Sequence, residues 1–198
     1  MSFLSEFVRS PLTVGAVAPS SAALARVVTA PIPRTGDPVV VELGAGTGAF
    51  TGLIQRRLGG RGHHIAVEVN ERFAMRLAAR YPGVDVALAD ARDLEAVLAS
   101  RDLPPADVIV SGLPWAAFAE RQQRDVLTAA VGALAADGAF TTFAYVHARW
   151  APPARRLRRA LESRFDEMVI GRTVWGNLPP ALVYHCRRPA PILVPGAA

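Results

Sequence analysis

The sequence predicts an α/β fold: a single mostly parallel, seven-stranded open sheet with helices on both faces and an antiparallel hairpin at its C-terminal end. Three observations predict it. The stretch Val39 to Phe50, VVVELGAGTGAF, runs β-branched residues into a glycine turn and then opens a helical pattern at Phe50, Leu53, Ile54 and Leu58. Three more short apolar runs, HHIAVEVN, VDVALAD and ADVIVSGLPW, recur with helical stretches between them, as parallel strands require. A fifth, AFTTFAYVHARW, precedes two last strands, MVIGRTVWGN and PALVYHCR, which flank NLPP as a hairpin.

The turn organises the rest. Gly44, Gly46 and Gly48 stand at alternate positions, where a chain needs positive φ or must let its backbone touch a ligand without a Cβ in the way. The free N–H groups of the following helix then face any negative group. Such a turn cradles a nucleotide-like ligand, or more simply makes a short connection. Gly44, Gly46 and Ala49 also satisfy the dinucleotide fingerprint, so the glycines alone do not choose the nucleotide.

Their company does. Glu42 precedes the turn, Glu68 closes the second strand, Asp90 follows the third, and SGLPW ends the fourth. This set resembles the class I S-adenosylmethionine-dependent methyltransferases, a Rossmann-like family whose first motif ends a strand with an acidic residue before GxGxG. The resemblance implies S-adenosylmethionine as cofactor, with Glu42, Gly44, Ala45, Gly46 and Gly48 around it. Glu68 lies at the spacing where a carboxylate accepts from both ribose hydroxyls. Val69 would pack on the adenine, Asp90 would take its amino group, and the Ala91 N–H would lie nearby.

Composition narrows the function. At 198 residues the chain reads as one domain, without the separate substrate domain of a dehydrogenase. The net charge is +5, and all 22 basic residues are arginine, which excludes Schiff-base and lysine-base chemistry. The positive balance fits an anionic partner such as a phospholipid surface or RNA, or reflects biased composition. One cysteine, Cys186, allows no intrachain disulfide or cysteine metal cluster, and the histidines lack ligand spacing, so no metal is expected. Without a signal peptide or spanning apolar run, a cytoplasmic protein is expected, with peripheral membrane association open.

Residues 1–37 are expected to form a helical cap over the site, 38–188 the catalytic core, and 189–198 a frayed tail. MSFLSEFVRSP places Phe3, Leu4, Phe7 and Val8 on one helical face, able to lie in a membrane interface or to pack on the domain. Ser20 can cap the next helix, which carries Leu24, Val27 and Val28 inward. FLxxFxRSPxTVGAVAPSSxxLA, SGLP and VWGNLPPALVY resemble the bacterial phospholipid N-methyltransferase family. That resemblance implies an amino-lipid acceptor, with a soluble small amine as the alternative. Ser20 and Ser21 can donate to the cofactor carboxylate, cap the helix, or both. The ribosomal RNA adenine dimethyltransferases are more distantly similar, but they carry NLPY where this chain has SGLPW. This makes nucleic acid a disfavoured partner.

On the acceptor side, Ser111, Trp115, Tyr145 and His147 are the catalytic candidates. Tyr145 or His147 can relay the proton an alkylamine must lose, as can bulk water. Trp115, Phe118, Tyr145 and Trp175 are candidates for an aromatic cage around a methylated ammonium, or else core residues. Arg155, Arg156, Arg158 and Arg159 read as a solvated face or a phosphate-contacting patch.

Overall fold

A computed structural model describes residues 20–190. The expected N-terminal amphipathic helix and the tail beyond Ala190 lie outside the described residues. The strands are β1 (Val39–Leu43), β2 (His63–Glu68), β3 (Asp85–Leu88), β4 (Ala106–Ser111), β5 (Leu134–Tyr145), β6 (Phe165–Ile170) and β7 (Ala181–Pro189). They form one 7-stranded sheet in the order β3-β2-β1-β4-β5-β7-β6. Only β7 runs against the others, paired on one side with β5 and on the other with β6. The strand order reverses between β1 and β4, which opens a crevice at their carboxyl ends.

The helices are α1 (Ala22–Val28), α2 (Thr51–Leu58), α3 (Glu71–Arg80), α4 (Leu94–Ala99), α5 (Glu120–Gly132) and α6 (Pro152–Arg164). β1 is buried along its whole length and feeds two cores. Val39, Val41 and Leu43 pack with the buried side chains of α4, α5 and α6, whereas Val40 faces Leu24 and Val28 of α1 and Ile54 and Leu58 of α2. This period-two split of an unbroken apolar run is how a parallel strand covered on both faces reads.

Three boundaries differ from expectation. Ser21, not Ser20, caps α1, its Oγ accepting from the Leu24 N–H at 3.2 Å. α5 stops at Gly132 rather than near Ala136, because Leu134 already pairs with Ala106 as the start of β5. The first hairpin strand ends at Ile170, and residues 171–180 form a long connection instead of a tight NLPP turn. Asn177 gathers that connection inward: it is buried, accepts from the Ser21 N–H at 2.8 Å and donates to the Pro179 carbonyl at 2.7 Å. Cys186 is fully buried, and burial pushes its thiol up to about 12, so it takes no part in nucleophilic chemistry.

Candidate active site

The glycine turn is shaped by its neighbours. Gly44, Gly46 and Gly48 all adopt positive φ, at 70°, 53° and 85°. Gly44 needs its positive φ, and Leu113 packs where its side chain would stand, since a Cβ there would lie 2.8 Å from Leu113 Cδ2. The two segments are tied by a hydrogen bond from the Gly112 N–H to the Leu43 carbonyl at 2.8 Å. Gly46 is different: a Cβ there would meet nothing nearer than the Gly44 carbonyl at 3.9 Å, which leaves its surface to a ligand. Gly48 serves packing, since a Cβ would press on Leu77 and Tyr81 at 3.0 Å.

Two cavities meet at this turn. The first, ≈ 310 Å³, lies between the turn, the end of β5 and the start of α6. The second, ≈ 410 Å³, lies over the ends of β2 and β3 and the start of α5. Gly44, Glu68 and Leu113 line both and form the ridge between them. Glu68 is buried there, one carboxylate oxygen accepting from the Gly46 N–H and the other from the Asn70 N–H, both at 2.8 Å. Burial raises its pKa above the ordinary glutamate value, and the N–H donors of Asn70 and Gly46 partly oppose that rise.

Of the expected residues, Ser20, Gly44, Ala45, Gly46, Trp115, Tyr145 and His147 line the first cavity with Glu68. Val69, Asp90 and Ala91 line the second. The Asp90 carboxylate holds the Arg92 guanidinium through bonds of 3.0 and 2.8 Å, and this partner keeps it below the ordinary carboxylate range. Ser20 is brought in by α1, which is anchored by the Thr141 hydroxyl on the Val28 carbonyl at 2.8 Å and by Asn177 on Ser21.

Four expected residues line neither cavity. Ser21 is occupied as the cap of α1, and Gly48 as a packing glycine. Glu42 points to the opposite face of β1, beneath the turn. There its Oε2 accepts from the Thr51 hydroxyl at 2.7 Å and lies 3.3 Å from His64 Nε2. The Gln55 amide sits 3.0 Å from His64 Nδ1; with the amide donating, the ring proton falls on Nε2, facing Glu42. Glu42 therefore reaches the site through α2 and β2, by fixing the elements on either side of the turn.

Ser111 is also fully buried, behind the first cavity. Its Oγ accepts from the Trp115 indole N–H at 3.0 Å, and its carbonyl accepts from the Thr142 hydroxyl at 3.2 Å. Ser111 thus holds Trp115. Gln123 adds a bond to the Trp115 carbonyl at 2.7 Å, and Phe118 and Phe140 meet the indole edge-on. Of the cage candidates, Phe118 lines the second cavity and Trp175 is 76% exposed, in neither cavity nor core. Tyr145 and His147 stack with centroids 5.8 Å apart and planes at 12°. Burial raises the Tyr145 phenol above its ordinary value.

Sequence reasoning missed Thr47, Phe73 and Phe143, which also line the first cavity. Thr47 sits inside the glycine turn itself, and Phe73 lies in the first turn of α3, its N–H donating to the capping Asn70 Oδ1 at 3.1 Å; both positions were readable from the motif spacing. Phe143 carried no motif, only strand alternation. No arginine among the described residues lines the first cavity, and Glu68 is the one carboxylate that does. Among the described residues no cluster of histidine, cysteine, aspartate or glutamate could hold a metal ion.

A mostly parallel sheet with a glycine cradle at its switch point and a buried carboxylate one strand over defines a nucleoside-binding α/β enzyme. The chain belongs to the methyltransferase domain family, whose model matches residues 40–138. It is 36% identical to an ornithine lipid N-methyltransferase of Singulisphaera acidiphila, over 93% of this chain and 94% of that protein. Its fold is shared with the O-methyltransferase TomG of Streptomyces achromogenes, solved in complex with S-adenosylmethionine, at a TM-score of 0.64 and 17% identity over 91% of this chain and 85% of that one. A TehB-like S-adenosylmethionine-dependent methyltransferase of Corynebacterium glutamicum matches at a TM-score of 0.61 and 15% identity, over 93% and 97% of the two chains. The protein is an S-adenosylmethionine-dependent methyltransferase of class I fold. The cradle open at Gly46 and the carboxylate on the ridge fit that cofactor.

Proposed function

We propose that this enzyme methylates the amine of an amino lipid. The observation that carries the reading is the first cavity: apolar, aromatic at its outer end, and lined by no arginine among the described residues, it suits a cationic methyl donor beside an amine. The lipid class is supported by the likeness to the ornithine lipid N-methyltransferase across nearly both chains. Glu68 would turn its two acceptor oxygens to the ribose hydroxyls, with Val69, Asp90 and Ala91 around the base in the second cavity. Ser20 and the turn N–H groups would face the amino-acid end.

When bound, the cofactor supplies an activated methyl group, so the chain mainly has to align the acceptor and exclude water. Trp115, fixed by Ser111 and Gln123, forms a rigid wall. Tyr145 Oη holds its proton and offers an aromatic face worth about 0.5–2 kcal/mol to an ammonium. His147 is exposed and stacked on Tyr145, and it would pass the ammonium proton to solvent. Among the described residues no helix is long and apolar enough to cross a membrane, and association at the membrane surface is part of the proposal.

The test is transfer of a radiolabelled methyl group to ornithine lipid and phosphatidylethanolamine dispersed in detergent micelles, with soluble amines and an RNA transcript alongside. Label in extracted lipid is expected. Label confined to a soluble amine or to RNA, or absent from every lipid, would overturn the proposal.

A further inference from the structure

Two segments adjoin the first cavity: His147 and Ala148 of one line it, and Asn177 of the other accepts from the Ser21 N–H, next to the lining Ser20. Residues 146–151 leave the end of β5 and enter α6, whose Ala154 and Leu157 line the cavity. Residues 171–180 lead into β7 and pack against α1, a Cβ at Gly176 reaching the Ala23 Cβ at 3.5 Å. The segments are joined at the carboxyl edge of the sheet, where the Val146 N–H donates to the Pro180 carbonyl at 2.9 Å and Tyr145 pairs with Ala181. On each the largest apolar side chain is turned to water: Trp150 is 70% exposed, Trp175 76% and Leu178 72%. Large apolar groups so placed at a cavity rim mark an interaction surface.

Charge says what kind of surface. Every charged residue from Arg149 to Arg159 is arginine, and Arg172 is the only charged residue from Gly171 to Cys186. The Arg149 guanidinium stacks on the Trp150 ring, 4.7 Å from its centroid. The nearest carboxylates along the chain are engaged elsewhere, Glu162 with Arg158 at 2.8 Å, and Asp166 and Glu167 with Arg188. Tryptophan and arginine side by side, with no acidic residue among them, match the headgroup level of an anionic bilayer, where amphipathic rings and cations both settle.

We propose that the rim formed by Arg149–Trp150 on one side and Arg172, Trp175 and Leu178 on the other docks the enzyme on an anionic lipid bilayer, holding the mouth of the first cavity against the headgroups. The orientation rests on the amino-lipid reading, since only a membrane-borne acceptor needs the mouth so placed. The docking itself needs neither methyl donor nor acceptor.

The test is flotation of the full chain with vesicles of phosphatidylcholine alone or with phosphatidylglycerol, neither of which carries a primary amine. Binding to the anionic vesicles only is expected. Arg149→Ala with Arg172→Ala should weaken it roughly 30-fold, and Trp150→Ala, Trp175→Ala and Leu178→Ala together by about tenfold or more. Both variants should keep S-adenosylhomocysteine binding, which shows that they fold. The chain has 3 tryptophans; in variants retaining one each, brominated lipid should quench Trp150 and Trp175 and spare the buried Trp115. No binding to anionic vesicles, equal binding to neutral ones, or binding unchanged in the variants would overturn the proposal. So would a concentration-dependent dimer abolished by the apolar substitutions, which would assign the rim to a second copy. Methyl transfer in micelles is independent of all these outcomes, so the lipid chemistry and the docking surface fail separately.

Discussion

Replacing Glu68 with alanine is expected to weaken S-adenosylhomocysteine binding by about 3 kcal/mol, roughly 150-fold, as two charge-assisted hydrogen bonds to the ribose are lost. The carboxylate also fastens the Gly46 and Asn70 N–H groups, so the cradle loosens with it. Its raised pKa adds a pH signature. Ribose binding needs the ionised form, so affinity should fall as pH drops through the raised value, at less acidic pH than an ordinary glutamate would give. Glu68→Ala should lack that inflection. The linked effect on the ligand-free fold has the opposite sign: this group's contribution to stability is fully present below the ordinary glutamate value and is lost as pH rises through the raised one. Calorimetry between pH 4 and 8 reads the affinity directly; unchanged binding by Glu68→Ala would mean that the acid is wrongly assigned.

Trp115→Ala should have the largest effect on stability. The side chain is 2% exposed and packs on Phe118 and Phe140, and truncating such a residue costs about 3–5 kcal/mol. For a chain of this length that lowers the unfolding midpoint by about 10 °C. Trp115→Phe keeps most of the packing but removes the indole donor from the buried Ser111 hydroxyl, leaving it only the longer bond from the Leu113 N–H at 3.4 Å, at about 1 kcal/mol. Denaturant unfolding distinguishes the two. A loss below about 1 kcal/mol for alanine would contradict the view of Trp115 as a fixed wall.

The parts of this molecule legible from sequence are those governed by local rules. VVVELGAGTG announces strand and turn because alternation and positive φ are properties of neighbours along the chain; Glu68 is found by its distance from that turn, and Asp90 by the likeness of its strand end to the methyltransferase pattern. Ser111 and Glu42 were read into the site by motif position. Which way their side chains point depends on the pleat and on what competes for them: the Trp115 indole claims Ser111, and Thr51 and His64 claim Glu42. The C-terminal hairpin was legible as two antiparallel strands. Its long connection was not, because Asn177, a turn-former by composition, is drawn inward by the Ser21 N–H, 156 positions away in sequence. The exposure of Trp150 and Trp175 was likewise invisible, since propensity places tryptophan inside and only the finished surface leaves it outside.

The central claim is that one nucleoside lies across the ridge formed by Gly44, Glu68 and Leu113, and a crystal structure with S-adenosylhomocysteine tests it most directly. The account predicts the ribose hydroxyls on the Glu68 carboxylate, the purine in the second cavity beside Asp90 and Ala91, and the thioether directed into the first cavity toward Tyr145. A ligand bound away from the ridge, or a Glu68 carboxylate that makes no contact with the sugar, would contradict it.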